Sequence, residues 1–415
     1  MAETPRNWAG NIAYATTDIR MPRHRAELQD LVKHAGKLRA LGSRHSFNRI
    51  ADSDHAIVSL KGFERLYRLD PAARTVTVDG GATYGDLCPR LDADGFALAN
   101  LASLPHISIV GAVATATHGS GNLNRNLAAA VAALELVTAG GDIVTLRRGD
   151  ADFAGAVVGL GALGIVTAIT LDVVPRFEVR QNVYVDLPFA AYVDNFDAIT
   201  GSAYSVSAFT HWRGDSIAHV WLKSLADAPP RPGELFGARP ADRPYHPIET
   251  LDPAPATEQL GVPGPWYLRL PHFRIEFSPS AGAELQSEYF VPRRDGPAAL
   301  RALHAVQERF AAPLMVSELR TVAADELWLS SAQGQDCLAF HFTWQRDWPS
   351  VQQVLPVIEQ ALAPFAVRPH WGKLFTMHKA DIAARWPRLE AFRELARKYD
   401  PEGKFRNAFL TETIF

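Results

Sequence analysis

The spacing of apolar residues predicts that the first part of the chain alternates short strands with short helices. Leu28, Leu31 and Val32 recur at helical spacing, which predicts a helix between residues 24 and 37. Short runs rich in β-branched residues and bounded by Gly, Pro or Asp predict strands. The predicted strands span residues 38–41, 56–60, 75–78, 131–137, 143–146 and 165–174, and further predicted helices span residues 84–91 and 152–158.

The pattern changes after Pro175, and we place a domain boundary near Arg176. Residues 227–266 are rich in proline and long for a loop in a compact domain, which favours a segment that covers a functional site. The remainder predicts a domain of mixed sheet and helix. Its predicted strands span residues 204–210, 217–222 and 272–277, and its predicted helices span residues 297–311, 351–363 and 389–399.

Residues 159–164 have the spacing G-x-G-x-x-G of a dinucleotide-binding loop. Such a loop must follow a strand and begin a helix, so that a pyrophosphate meets the helix N-terminus. Here a predicted helix comes before the glycines and a predicted strand comes after them. The order is wrong for a Rossmann fold, and the pattern predicts a close turn instead.

Two other segments combine glycine, serine and histidine. Residues 42–48 read Gly-Ser-Arg-His-Ser-Phe-Asn and follow a predicted strand. Glycine and serine let a backbone approach a phosphate closely, although this segment alone favours an ordinary turn. In residues 105–121 almost every side chain from Gly111 onward is small or hydroxylic, which suits a large flat ligand as well as a tightly packed loop. Two such segments in one domain favour an extended cofactor.

Composition narrows the range of partners. The net charge of −3 gives no reason to expect binding to nucleic acid or to an anionic membrane. The two cysteines, Cys88 and Cys337, lie far apart and fit no zinc or disulfide pattern, and the histidines show no metal-ligand spacing. Residues 1–6 lack the apolar core of a signal peptide, so we expect a cytoplasmic location.

These segments together resemble the vanillyl-alcohol-oxidase-type flavoproteins. Within that group the chain is most similar to the alditol oxidases and next to the aldonolactone oxidases. The stretches that carry the resemblance are residues 7–11, 42–48, 102–108, 116–121, 285–289, 318–325, 341–344, 368–373 and 403–409.

The resemblance implies an α+β, two-domain FAD-binding fold of the PCMH/VAO type with a mixed-sheet substrate cap domain. Residues 1–178 would form the N-terminal part of the FAD-binding domain. Residues 179–380 would form the substrate or cap domain, and residues 381–415 would return to the FAD domain.

The resemblance also implies that FAD is attached covalently through His45. A neutral imidazole nitrogen is a nucleophile, so the attachment is chemically reasonable. Members with two attachments carry a cysteine near Ser103, and its absence here predicts a single bond. Some relatives have glycine at the position of Arg44, a difference that we do not expect to prevent attachment. The other cofactor-binding positions implied are Leu41, Gly42, Ser43, Arg44, Ser46, Ser103, Ser108, Gly111, Thr115, Thr117, His118, Gly119, Gly164, Ile165, Val166, Lys373 and Asn407.

Alcohol oxidation requires a fixed cation near the charge that develops on the flavin, and Lys373 matches the family lysine for this role. Its apolar flanks predict burial and a lowered pKa, although a surface lysine is the alternative. Glu318 and Arg320 lie two residues apart, so on a strand they face one side, as do His341 and Thr343. An inter-strand salt bridge or ordinary core hydrogen bonds would explain these pairs equally simply. The catalytic residues implied by the resemblance are Arg320, Lys373, Glu318, Ser103, His341 and Thr343, and the substrate-binding residues are Gln286, Glu318, Arg320, Thr343 and Lys373.

The implied function is oxidation of the terminal primary hydroxyl of alditols such as xylitol and sorbitol to the aldose, with hydride transfer to flavin N5 and reduction of O₂ to H₂O₂. The alternative within the same class is an aldonolactone oxidase or dehydrogenase. A non-catalytic flavin- or sugar-binding protein would not explain why His45, Arg320 and Lys373 occur together. We hypothesise that the small Ala102 leaves room for O₂. The expected partners are a small polyol and O₂, acting on a monomer, without nucleic acid or membrane.

Overall fold

The computed structural model describes residues 4–231, 233–277 and 283–415. The sequence interpretation of residues 1–3, of Pro232 within the proline-rich segment and of residues 278–282 lies outside the described residues.

Helices in the described ranges are short, and four of them follow a residue whose side chain accepts a hydrogen bond from the first turn. In the second helix, Thr83 and Asp86 form a reciprocal capping box, in which each side chain accepts from the other residue's backbone N–H. The helices are α1 Arg25–His34, α2 Tyr84–Ala93, α3 Ile109–Ala114, α4 Phe153–Ala156, α5 Phe189–Asp194, α6 Phe196–Thr200, α7 Gly296–His304, α8 Trp348–Leu362, α9 Lys379–Arg385, α10 Leu389–Tyr399 and α11 Ala408–Thr413. Short 3₁₀ turns lie at Arg49–Ala51, Leu127–Ala130, Trp266–Leu268, Arg293–Asp295, Gln307–Arg309 and Ala363–Phe365.

Strands run through the same ranges and form several sheets. They are β1 Ile19–Arg20, β2 Leu38–Leu41, β3 Ala56–Ser59, β4 Tyr67–Asp70, β5 Thr75–Asp79, β6 Phe96–Ala97, β7 Gly121–Arg125, β8 Val131–Val137, β9 Ile143–Arg147, β10 Ile165–Asp172, β11 Val174–Pro175, β12 Glu178–Pro188, β13 Ser205–Thr210, β14 Ser216–Leu225, β15 Arg239–Pro240, β16 Gly264–Pro265, β17 Glu284–Pro292, β18 Leu314–Ala323, β19 Cys337–Gln345 and β20 Arg368–Pro369.

Most predicted elements are confirmed, several of them to the residue, as for β2, β8 and α10. The predicted strand at residues 272–277 is wrong. That segment has no strand because its backbone and side chains are held by other partners, described below. The predicted helix at residues 297–311 ends at His304 as α7, and a 3₁₀ turn follows it.

Three smaller sheets lie in the first part of the chain, and the smallest pairs β6 with β11. Strands β1, β3 and β2 form a parallel three-stranded sheet, and β4, β5, β10, β8 and β9 form an antiparallel five-stranded sheet. Val76, Leu134 and Ile169 of the five-stranded sheet belong to one hydrophobic cluster, which also contains Phe392 and Leu410 from the C-terminal helices. The end of the chain therefore packs against its beginning, while the division into the three proposed segments stays a prediction.

The later part of the chain is built on a ten-stranded sheet with the strand order β15-β12-β14-β13-β18-β19-β17-β20, to which β16 and β7 are also paired. Side chains of a strand alternate between the two faces of a sheet. Tyr289, Phe340 and Phe342 lie on the face that packs with Leu300 of α7 and Leu355 of α8 in a second hydrophobic cluster. The alternate positions of the same strands point to the opposite face, where the polar residues of the candidate site lie.

No helix within the described ranges combines the length and the apolar character needed to cross a membrane.

Candidate active site

A cavity of about 310 Å³ opens between the loops of the first part and the polar face of the large sheet. Its walls include residues 41–48, most residues between Ala102 and His118, and most of the glycine run 159–164. The proline-rich segment contributes His246, Pro247 and Ile248, so part of this long segment lies at the site, as its length led us to expect.

Two of these loops are fastened to each other by a reciprocal pair of hydrogen bonds. The Ser43 N–H donates to Ser108 Oγ over 3.3 Å, and the Ser108 N–H donates to Ser43 Oγ over 3.1 Å. A Cβ atom at Gly42 would lie 2.3 Å from Ser108 Oγ, and one at Gly111 would lie 2.5 Å from it. A side chain at either position would therefore displace the Ser108 hydroxyl that accepts from Ser43.

The loop that follows Gly42 is also joined to the segment that carries Lys373. The Asn48 side-chain amide donates to the carbonyl oxygens of Trp371 and Lys373, both over 2.8 Å. The Phe47 N–H donates to the Gly372 carbonyl over 2.8 Å. Since one asparagine bonds both carbonyls, we call this contact the Asn48 clamp.

His45 lies on this loop, with its ring stacked on Trp8 at a centroid distance of 5.0 Å. Its Nδ1 lies 3.0 Å from the Ser43 carbonyl, and its Nε2 is buried with no hydrogen-bond partner among the described residues. Burial lowers the pKa of His45 to about 4, although the Ser43 carbonyl opposes the shift. The ring is therefore neutral near pH 7 and keeps a nitrogen lone pair.

The glycine run 159–164 forms a turn between α4 and β10, in the order that the sequence predicts. The buried Arg39 donates to the carbonyl oxygens of Leu160 and Gly161, both over 2.9 Å, and to that of Phe405 over 2.7 Å. These bonds fix the turn. A strand and not a helix follows the glycine run, in agreement with the prediction that it is not a Rossmann loop.

Polar side chains from three neighbouring strands form rows on the cavity face of the sheet. Glu288 of β17 pairs in register with His341 of β19, which pairs with Glu318 of β18. In the next row, Gln286 pairs with Thr343. The His341 ring reaches Gln286 Oε1 over 3.1 Å. The predicted same-side pairs 318/320 and 341/343 are thus brought to one cavity.

Glu288 is the centre of the charged cluster. Its Oε1 accepts from Arg320 over 2.7 Å and lies 3.1 Å from His118 Nε2, while its Oε2 accepts from Lys373 Nζ over 2.8 Å. Burial alone would raise the pKa of Glu288, but Lys373, His118 and Arg320 hold it well below its usual range. Glu288 is therefore an anion that positions two cations.

Lys373 is placed by its backbone as well as by Glu288. The His370 N–H donates to the Glu288 carbonyl and the Leu374 N–H donates to the Gln286 carbonyl, both over 2.9 Å, so the segment lies along β17. Burial lowers the pKa of Lys373, and the charge of Glu288 opposes this shift. Among the described residues, Glu288 is the hydrogen-bond acceptor of Nζ, so further N–H groups are available to a ligand.

Glu318 and Arg320 lie close enough to form an ion pair, and each also contacts a residue from another segment. Glu318 Oε1 lies 2.7 Å from His272 Nε2 and 3.5 Å from Arg320 Nε. Arg320 also donates to Ser103 Oγ over 3.3 Å, which links the sheet to the loop of the first part. Burial would raise the pKa of Glu318, but Arg320 and His272 lower it overall, so this carboxylate is ionised.

Comparison with curated proteins places this chain in a known family. An alditol oxidase from a Streptomyces species is 46% identical to the chain over 417 residues, and the alignment covers all of both chains. The chain belongs to the alditol oxidase family. The L-gulono-1,4-lactone dehydrogenase of Mycobacterium tuberculosis is a more distant relative of this chain, at 29% identity over 98% of each chain.

Family models match two parts of the chain, and a solved structure has the same fold. A model described as FAD binding domain matches residues 19–147, and one described as D-arabinono-1,4-lactone oxidase matches residues 283–413. The structure of cholesterol oxidase from B. sterolicum superposes with a TM-score of 0.80 at 15% identity, over 99% of this chain and 96% of that one. The predicted two-domain FAD-binding fold of the PCMH type is confirmed, and so is the expectation that FAD is the cofactor.

The residues present fit FAD. The cavity wall combines closely apposed glycine and serine loops with the unpartnered nitrogen of His45, and the cation Lys373 lies on the same cavity. All the residues predicted to bind cofactor or substrate line this cavity except Gly119 and Asn407. Gly119 packs so closely that a Cβ would lie 2.4 Å from the Leu101 carbonyl. Asn407 begins α11 and donates to the Arg49 and Asp52 carbonyls.

The sequence interpretation missed several residues of the site. Glu288 lies within residues 285–289, which carry part of the family resemblance, but it is absent from the predicted site residues. It lies two residues from Gln286 and shares its face of the strand. The same spacing argument that selected Arg320 would have found it. His272 and Lys223 lie on separate segments without a motif, so no sequence signal was available for them.

Within the described residues, no three His, Cys, Asp or Glu side chains converge in a way that could hold a metal ion.

Proposed function

We propose that this protein catalyses the FAD-dependent oxidation of the terminal primary hydroxyl of an alditol, such as xylitol or sorbitol, to the aldose with formation of H₂O₂. The observation that carries the proposal is the polar face of the sheet, where Arg320 and Lys373 meet Glu288 at one end of rows of hydrogen-bonding side chains. Membership of the alditol oxidase family supports the same conclusion.

The charge balance of the site suits an uncharged ligand rich in hydroxyl groups. The charged side chains at the polar face of the cavity are of both signs. Glu284, Glu288 and Glu318 are carboxylates, and Arg320 and Lys373 are cations. A polyol brings no charge of its own, and each of its hydroxyls can donate and accept. Gln286, His341 and Thr343 offer partners for such groups.

FAD, when bound, supplies the hydride acceptor at N5 and passes the electrons to O₂. Arg320 and Lys373 then have the chemistry to favour the alkoxide form of the reacting hydroxyl, because two cations in a water-poor site stabilise negative charge strongly. The lowered pKa of Lys373 suits its neutral amine to take up the hydroxyl proton, and the ammonium group so formed is then the cation that stabilises the developing charge. We assign Glu318, Ser103 and Thr343 to holding the substrate, and Lys373 also to stabilising charge on the cofactor.

The attachment of FAD through His45 is part of this proposal. The neutral ring with an available lone pair supports it, since the nucleophilic form of histidine is the uncharged one. A monomeric state and a cytoplasmic location are further expectations, which size-exclusion chromatography and cell fractionation test.

A peroxide assay tests the activity. Purified protein loaded with FAD is expected to produce H₂O₂ with five- and six-carbon alditols, measured by a coupled peroxidase reaction over a panel of alditols and aldono-1,4-lactones. The match of residues 283–413 to a lactone oxidase model supports the alternative substrate class. Faster turnover with a lactone than with any alditol would favour that alternative, and no peroxide with either class would refute the proposed oxidase.

Ala102 provides a test of O₂ as the acceptor. It is buried and lines the cavity, so the two added methyl groups of Ala102→Val would narrow the cavity wall. We expect O₂-dependent turnover to fall several-fold while turnover with a reducible dye changes less, measured as the ratio of the two rates. Ala102→Gly serves as the control that adds no volume. An unchanged ratio in Ala102→Val would contradict a role in O₂ access.

A further inference from the structure

Lys223 is a fully buried lysine that the proposed chemistry does not use. It lies on β14, and its side chain is 1% exposed. Its ammonium group contacts the carbonyl oxygens of Leu270 over 2.5 Å and Pro271 over 2.9 Å, and His272 Nδ1 over 3.1 Å. All three donors of the ammonium group therefore have partners.

The contact with His272 has a chemical consequence. A protonated lysine can only donate, so His272 Nδ1 must accept and the proton of the neutral ring must lie on Nε2. That nitrogen lies 2.7 Å from Glu318 Oε1 and can then donate to the carboxylate. Among the described residues, none donates a hydrogen bond to Glu318 Oε2, so this oxygen stays available to a ligand in the cavity.

We propose that Lys223 is a positioning residue for the active site, which fixes the Nε2–H tautomer of His272 and thereby orients Glu318 toward the substrate. The inference rests on the proposed function, since it assigns Glu318 to substrate binding. It adds a chain of three side chains, Lys223, His272 and Glu318. Through this chain, His272 Nε2–H donates a hydrogen bond to the Glu318 carboxylate at the cavity.

The ionisation of the neighbours is consistent with this chain. Burial lowers the pKa of Lys223 to about 7, while Glu318 opposes the shift and Arg320 adds to it. Burial also lowers the pKa of His272 to about 4, against the pull of Glu318. At pH 6, therefore, Lys223 is predominantly charged and His272 predominantly neutral, and the ring has a single favoured tautomer.

The direct test is the tautomer itself, read at pH 6 from the ¹⁵N chemical shifts of histidine side chains in labelled protein. The His272 signals are identified by their loss in His272→Gln. We expect the Nε2–H tautomer in the unaltered protein and a rise of the Nδ1–H form in Lys223→Met, where Nδ1 loses its donor. An Nδ1–H tautomer in the unaltered protein would overturn the proposal without recourse to any variant of Lys223.

The kinetic test separates this role from simple anchoring of the segment. In protein with equal bound FAD, we expect Lys223→Met to lower kcat/KM for the best polyol about tenfold to a hundredfold, as misorientation near a reacting group does. The matched control is Thr257→Val, because Thr257 Oγ1 donates to the same Pro271 carbonyl over 2.8 Å without touching the His272 ring. Thr257→Val is expected to lower the melting temperature but to keep kcat/KM within about twofold. Equal losses of kcat/KM in the two variants would reduce Lys223 to an anchor and contradict the proposal.

A double variant completes the test. The glutamine amide in His272→Gln can donate to Glu318 without help from Lys223. Adding Lys223→Met to it is therefore expected to cause a smaller further loss than Lys223→Met causes alone. Fully additive losses would contradict the proposal. If the unaltered protein oxidises neither alditols nor lactones, the proposed function fails, whereas the tautomer measurement still decides whether Lys223 sets the state of His272.

Discussion

Replacing Lys373 with alanine is expected to lower kcat about a thousandfold while FAD stays bound. The cation is removed from a buried site where charge develops during the reaction, and losses of about a hundredfold to ten-thousandfold are typical for such groups. Glu288 keeps its contacts with Arg320 and His118, so the cluster does not lose all its compensating charge. Steady-state kinetics with the preferred polyol, normalised to flavin absorbance, measures the effect.

The nearby Lys379 provides the control for Lys373. Its Nζ donates to the Thr411 carbonyl over 3.3 Å, and Lys379 does not line the cavity. Lys379→Ala is therefore expected to keep kcat within about twofold. If Lys373→Ala lost FAD and kcat in equal proportion, Lys373 would be a structural residue and its catalytic role would be wrong.

In the second test, replacing His45 with alanine is expected to abolish the covalent link to FAD completely. Unaltered protein should keep yellow, fluorescent flavin on the polypeptide after acid precipitation and in a denaturing gel. In His45→Ala the flavin should appear in the acid supernatant, because the ring that carries the available lone pair is gone. Mass spectrometry of the intact chain should show the loss of the mass of one FAD.

His106 is a suitable control for this measurement. A positive charge on His106 would lower the pKa of His45. His106 does not line the cavity, and its Nε2 lies 2.7 Å from the Ile275 carbonyl. His106→Ala is expected to retain covalent flavin. Flavin that stays covalently bound in His45→Ala would place the attachment at another residue.

Site residues could be predicted where they alternate along one strand. They could not be predicted where two distant segments meet only in the folded protein. Glu318 and Arg320 share a face because side chains alternate, and this is visible in sequence. Glu288 obeys the same rule but was overlooked beside Gln286. His272 reaches Glu318 across 46 positions of the chain, and no local pattern encodes such a contact.

The fold shows the same division. The long strand β12 has alternating buried residues such as Val179, Val183 and Val185, a period that could have been recognised but was missed. Residues 272–277 have strand-like composition, but the His272 and Phe273 N–H groups point to the Ser103 carbonyl instead of a neighbouring strand. Strand propensity shows that a segment is able to form a strand, but the hydrogen-bond partner of its backbone decides whether it does.

The Asn48 clamp has a consequence for biosynthesis. It joins the loop of His45 to a segment more than three hundred positions later in the chain. A chain that lacks Trp371 and Lys373 lacks this clamp, and its His45 loop keeps only its contacts within the N-terminal part, such as the Ser43–Ser108 pair and the stacking on Trp8. On the proposed attachment, FAD would become bound to a fully fixed loop only after residues 371–373 have been synthesised and have folded against it. The covalent flavin content of a preparation would then report the fraction of molecules that were finished and correctly folded.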